Sequence, residues 1–152
     1  MTDSHANTQA TGSANGAQLE HFPRPAALPY LTVRGARDAI TWYGEVFHAQ
    51  HTKEPYIMSN GKVGHAELDF DGTILYLADE FAELGLLAPV NGRHSVSLML
   101  PVADTDATLA RARKTGAHVE REPYEDYGGR NAALIDPFGH RWLLYQPLLT
   151  AS

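Results

Sequence analysis

His65 and Glu67, within Gly64-His65-Ala66-Glu67-Leu68, are the pair in this chain best spaced to do chemistry together. On a strand, side chains two positions apart leave the same face, so both can enter one cleft. A neutral imidazole beside a carboxylate can shuttle protons near neutral pH, because histidine's unperturbed pKa is about 6.5. The pair can also supply two ligands to an unusual metal site. Its plain alternative is a hydrogen-bonded pair facing solvent or an interface. Arg130, in Tyr127-Gly128-Gly129-Arg130, reads as a loop guanidinium able to grip a carboxylate or phosphate. Its alternative is an ion pair with Glu122, Glu125 or Asp126.

The other histidines carry less. His5 and His21 are expected in solvent, and His48, His51 and His118 on the surface. His140 sits in a turn phrase that favours a structural hydrogen bond, while His94 is a loop residue that can reach a cleft mouth. Ser97 has no flanking nucleophile-elbow glycines, which argues against a serine hydrolase. Gly128-Gly129-Arg130 lacks the strand-to-helix setting of a phosphate loop.

Twelve basic residues against eighteen acidic give a net charge of −6, so nucleic acid is not an expected partner. The absence of cysteine excludes disulfides, thiolate metal sites and cysteine nucleophiles. No apolar run approaches the roughly 18–20 residues of a membrane helix. The start of the chain has neither the basic end nor the apolar stretch of a secretory signal. A soluble cytoplasmic protein is expected, with a disordered tail over 1–22, one domain over 23–148 and a short tail over 149–152.

Those candidate residues sit in a chain that is written twice. Lys53-Glu54-Pro55-Tyr56 recurs 68 positions later as Arg121-Glu122-Pro123-Tyr124. In the same register Gly61 matches Gly129 and Phe70 matches Phe138, and nearby Leu31 matches Leu100. Each half, about 27–80 and about 94–147, reads as strand, helix, then three strands, with 81–93 as a connector partly helical around Phe81–Leu87. Ala39, Ile40, Tyr43, Val46 and Phe47 form one helical face, with Trp42 beside it. Ala49–Tyr56 is a weak strand, and Asp71-Gly72 is a hairpin turn signal. Asp104 is the expected cap of a second helix that Gly116 closes. The order favours an α+β fold with mostly antiparallel sheet.

Two such βαβββ units, with Pro29-Tyr30-Leu31-Thr32-Val33, Gly64-His65-Ala66-Glu67-Leu68 and Asp136-Pro137-Phe138-Gly139-His140-Arg141-Trp142, resemble the vicinal oxygen chelate superfamily. That group contains glyoxalase I, fosfomycin-resistance enzymes, extradiol dioxygenases and bleomycin-binding proteins. The resemblance spans about 27–147 and implies a curved sheet enclosing a cup-shaped cleft, often in a homodimer. Metal-dependent members place His, Glu or Gln on the first and last strands of each unit. Transferred by register, those positions are Leu28, Tyr76, Ser97 and Leu143, none of them an ordinary ligand for a divalent cation.

Strand parity then puts Leu28, Tyr30, Ile74, Tyr76, Ser97, Met99, Leu143 and Tyr145 on the cup-facing side. The expectation is a metal-independent protein without cofactor, binding a small hydrophobic or aromatic molecule through Tyr30, Tyr76, Met99 and Leu143. Ser97 and His65 would orient its polar atoms. The alternative is an enzyme of glyoxalase or isomerase type using His65 and Glu67.

Overall fold

Asp71 and Gly72 both adopt positive φ, 55° and 98°, the backbone signature of a two-residue hairpin turn joining β4 (Val63–Asp69) to β5 (Ile74–Asp79). The computed structural model describes residues 27–149 apart from Gly92. The tail expected over 1–22, with His5 and His21, and most of the C-terminal tail lie outside the described residues.

The first unit runs β1 (Tyr30–Val33), α1 (Ala36–Phe47), β2 (Gln50–His51), β3 (Tyr56–Ile57), β4 and β5. The strand expected over Ala49–Tyr56 is therefore broken into two short pieces, both paired to β4. The connector contributes a single 3₁₀ turn, Ala82–Leu84. The second unit repeats the order as β6 (Ser97–Pro101), α2 (Thr105–Lys114), β7 (His118–Asp126), β8 (Gly129–Ile135) and β9 (Arg141–Pro147). In each unit the first strand lies parallel to the last and the other pairings are antiparallel.

The α+β class expected from the sequence is the one observed. The sheet, however, is two open sheets, ordered β1-β5-β4-β2 and β6-β9-β8-β7, rather than one.

Register preserves the duplication where it matters: Tyr30 faces Tyr76 across β1 and β5, and Met99 faces Leu143 across β6 and β9. The Phe70–Phe138 match does not survive. Phe70 N–H donates to the Thr73 carbonyl as Asp136 N–H donates to the His140 carbonyl, so Phe70 corresponds to Asp136. The second turn is one residue longer, which moves Phe138 to its tip.

Helix starts are fixed by side chains from both near and far. Asp104 accepts from Ala107 N–H at 2.9 Å, the cap expected for α2. Gly35 gives α1 no side-chain cap, and Asp79 at the end of β5 accepts from Gly35 N–H and Ala36 N–H instead. Gln146 Oε1 plays the matching part for Thr105 N–H. Thus the last strand of each unit anchors its helix.

One core joins the units. Trp42, Tyr43 and Phe47 from α1 pack with Phe70 and Trp142, the Phe47 and Trp142 rings lying 4.8 Å apart. Burying each such side chain contributes about 1.5–3 kcal/mol. Buried Asp136 accepts from Tyr43 Oη at 2.5 Å, Trp142 Nε1 at 2.8 Å, and the backbone N–H groups of Phe138 and His140. Burial, and then the neighbouring Asp136, push the Tyr43 phenol well above its ordinary range, so it remains a donor. His140 Nε2 lies 2.9 Å from the Thr32 carbonyl, the structural bond expected of it.

Candidate functional site

Alternation along β1, β4 and β5 sends Leu31, Val33, Ala66, Leu68, Leu75 and Leu77 into the core. The opposite face then carries Tyr30, Tyr76, His65 and Glu67. His65 and Glu67 do share one face, and they are hydrogen-bonded: Nε2 of His65 is 3.0 Å from Oε1 of Glu67. The Tyr30 hydroxyl lies 2.7 Å from the other ring nitrogen, Nδ1. Tyr76 closes the group, edge-on to the imidazole at 4.9 Å between centroids and to the Tyr30 ring at 5.7 Å.

Glu67 is the electrostatic anchor. Lys53 Nζ approaches its Oε1 at 2.6 Å and Thr52 Oγ1 its Oε2 at 3.1 Å. Hydrogen bonds from Lys53, then His65 and Thr52, lower its pKa from 4.5 to about 2. An ionised Glu67 accepts only, so in the neutral ring His65 must carry its proton on Nε2. Nδ1 is then an acceptor and takes the Tyr30 O–H. Burial first, with Glu67 and Tyr76 nearby, raises the Tyr30 phenol above 10.0 and keeps it protonated at neutral pH. When His65 gains a proton, Nδ1–H donates and the Tyr30 hydroxyl turns outward as a donor. The Gly64 carbonyl, at 3.4 Å, is a weak competitor for it.

Residues Thr52 and Lys53 were not among the candidates, nor was the hydroxyl of Tyr30 as a partner of His65. The recurring Lys53-Glu54-Pro55-Tyr56 phrase was the available signal, but its copy behaves differently: the Arg121 guanidinium lies 3.5 Å from the Tyr124 ring centroid. The network belongs to unit one alone. By ladder register, the places of Tyr30, Tyr76 and Glu67 are taken in unit two by Met99, Leu143 and Ala133.

The remaining candidates are scattered around this frame. Leu28 lies in coil ahead of β1, half-buried. Ser97 is exposed and accepts from Arg141 Nη1 at 2.8 Å, while Met99 is 66 % exposed beside half-buried Leu143. Arg130 is not a loop residue. It lies on β8 because Gly129 already begins that strand, and its guanidinium is held by Asp106 through Nε and, at 2.9 Å, Nη2. That bidentate bond lowers the Asp106 pKa and raises that of Arg130, to which Glu125, 3.8 Å from Nη1, also contributes. His48, His51 and His118 are exposed, as expected.

Clefts of about 530, 400, 260 and 190 Å³ lie away from Tyr76, Leu143 and the His65–Glu67 pair. Of the predicted lining residues, Tyr30 borders the 400 Å³ cleft and Met99 the 190 Å³ one, so none of these clefts gathers all four. Among the described residues, no three His, Asp or Glu side chains gather as a group able to hold a metal ion.

Comparison with known proteins fixes the family. The sequence model of the glyoxalase/bleomycin resistance protein/dioxygenase superfamily matches residues 13–144. The chain belongs to that superfamily.

Its relatives extend the match without giving an activity. An uncharacterized Mycobacterium bovis protein is 34% identical over 130 residues, covering 82% of this chain and 84% of the relative. An uncharacterized Mycobacterium tuberculosis protein has the same identity, with 75% of its own length covered. Among solved structures, TioX from Micromonospora sp. ML1 superposes with a TM-score of 0.61 at 21% identity, covering 84% of this chain and 99% of TioX. The fosfomycin resistance protein FosX of Listeria monocytogenes, crystallised with Mn(II) and sulfate, gives 0.62 at 14%, covering 84% and 94%. At these identities the structures share the superfamily fold. No described helix is long and apolar enough to cross a membrane.

Proposed function

We propose that this superfamily member binds a small hydrophobic or aromatic molecule on the open face of its sheets, without the usual divalent metal. The observation that carries the reading is the Tyr30–His65–Glu67 network bordered by Tyr76, set against a second unit that has Met99, Ala133 and Leu143 in the places of Tyr30, Glu67 and Tyr76. An aromatic body would stack against Tyr30 and Tyr76 and lie over Met99 and Leu143. Its polar end would meet the Tyr30 hydroxyl, which can donate or accept according to the state of His65. Leu28, Tyr76, Ser97 and Leu143 at the register positions of the family's metal ligands support metal independence. Tyr30 and Met99, 51 % and 66 % exposed, leave the face broad, and the same reading takes the protein as a homodimer. A thermal-shift screen of EDTA-treated protein against aromatic metabolites and antibiotics tests it, since a native-state ligand raises the melting midpoint.

A second reading is favoured by the same hydrogen bonds. With Glu67 ionised and Nδ1 facing Tyr30, His65 is arranged as a general base, and the chain would be an acid–base lyase or isomerase. Stoichiometric bound metal that is lost in His65→Ala would instead make His65 and Glu67 ligands, and would remove the metal-free reading.

A further inference from the structure

Duplication places a pair of corresponding clefts on the seam between the units, and they have diverged. In one, β6 meets the β4–β5 turn around an apolar gap of about 190 Å³ that includes Phe70, Leu75, Met99 and Trp142. In its counterpart, β1 meets the β8–β9 turn around a cleft of about 400 Å³. There the connector lays Arg93, His94 and Ser95 beside His140 and Arg141. Although the chain carries a net charge of −6, no Asp or Glu is among the described residues lining this cleft.

Two of its basic groups are already engaged. His140 faces the Thr32 carbonyl, and Arg141 donates to Glu120 at 2.5 Å and Ser97 at 2.8 Å. The other two are not. His94 Nε2 is buried without a hydrogen-bond partner, and the Arg93 guanidinium makes no ion pair, among the described residues. A buried polar nitrogen left without a partner is costly, so such an atom marks a place where something else should bind. Leu87 and Val96, 63 % and 69 % exposed, offer apolar surface at the same cleft. Its size falls within the roughly 300–1,000 Å³ of small-molecule sites.

We infer that this seam cleft is a second ligand site, for a small organic anion. Its carboxylate or phosphate accepts from the Arg93 guanidinium and, once the His94 ring turns its Nε2–H toward the cleft, from His94, and its apolar part covers Leu87, Val96 and Leu98. Charge-assisted bonds from a planar guanidinium suit either oxyanion. The site is separate from the Tyr76–Glu67 face, and only Tyr30 borders both.

Calorimetric titration of the full chain with benzoate, inorganic phosphate and uncharged benzamide, at constant ionic strength, tests the inference. Benzoate or phosphate should bind and benzamide should not. The stronger anion tells a carboxylate-bearing ligand from a phosphoryl-bearing one. Arg93→Gln and His94→Leu should each weaken the anion about tenfold, and exposed Arg93→Gln should leave the unliganded melting midpoint in place. Failure of both anions to bind, benzamide binding as well as benzoate, or unchanged affinity in both variants overturns the proposal.

Discussion

The Tyr30 hydroxyl lies 2.7 Å from Nδ1 of His65, and the protonation state of that ring decides whether the hydroxyl accepts or donates. Here the choice is set from behind by Glu67, which fixes the far side of the imidazole.

That arrangement specifies a tautomer. Nitrogen chemical shifts of neutral His65 should report the proton on Nε2. Glu67→Ala should remove the preference and populate both tautomers. A wild-type ring protonated on Nδ1 would mean that Glu67 does not organise the group.

Glu67 also gives a pH dependence with a definite sign. Its folded pKa of about 2 lies below the ordinary 4.5, so its stabilisation is complete above about 4.5 and is lost as pH falls toward 2. Urea unfolding followed from pH 7 to pH 2.5 should show Glu67→Gln less stable than wild type by about 1 kcal/mol at neutral pH. The gap should narrow through the acid range. Lys53→Met should cost less than Glu67→Gln, because the Lys53 side chain is 60 % exposed and its ion pair is screened.

The buried Asp136 is a stronger test of the joint between the units. Asp136→Ala strands the Tyr43 hydroxyl, the Trp142 indole and two backbone N–H groups, and should cost about 3–5 kcal/mol. Tyr43→Phe removes one donor from a carboxylate that keeps three, and should cost about 1.5–3 kcal/mol. Chemical denaturation of the two variants and their double mutant should reveal coupling, because the residues share one hydrogen bond.

Much of this scaffold was legible from local chemistry. The Asp71-Gly72 turn, the Asp104 cap and the Gly116 stop each depend on residues a few positions apart, and all appear where expected. Long-range partners were not legible. Asp136 reads as a turn residue, and nothing in the sequence ties it to Tyr43, 93 positions away. Arg130 looked like a loop residue because two glycines precede it, yet Gly129 is a strand residue packed under Tyr145. His65 and Glu67 were readable as a pair from strand parity alone, whereas Lys53 reaches Glu67 only because β4 pairs with the segment beginning at β2.

The glycine at 129 has its own prediction. A Cβ there would overlap the Tyr145 ring, so Gly129→Ala must displace that side chain. A loss of about 1–3 kcal/mol is expected in thermal or chemical unfolding. Pairing Gly129→Ala with Tyr145→Ala should relieve the overlap, making the double mutant more stable than the sum of the two single costs predicts.

Metal-free aromatic recognition is tested most directly by calorimetric titration of EDTA-treated protein, using an aromatic compound that raised its melting midpoint. Wild type should bind without added metal, and Tyr76→Ala should bind about tenfold more weakly, in line with the loss of one aromatic contact of about 0.5–1.5 kcal/mol. Binding that disappears with EDTA and returns only with a divalent cation would contradict the account.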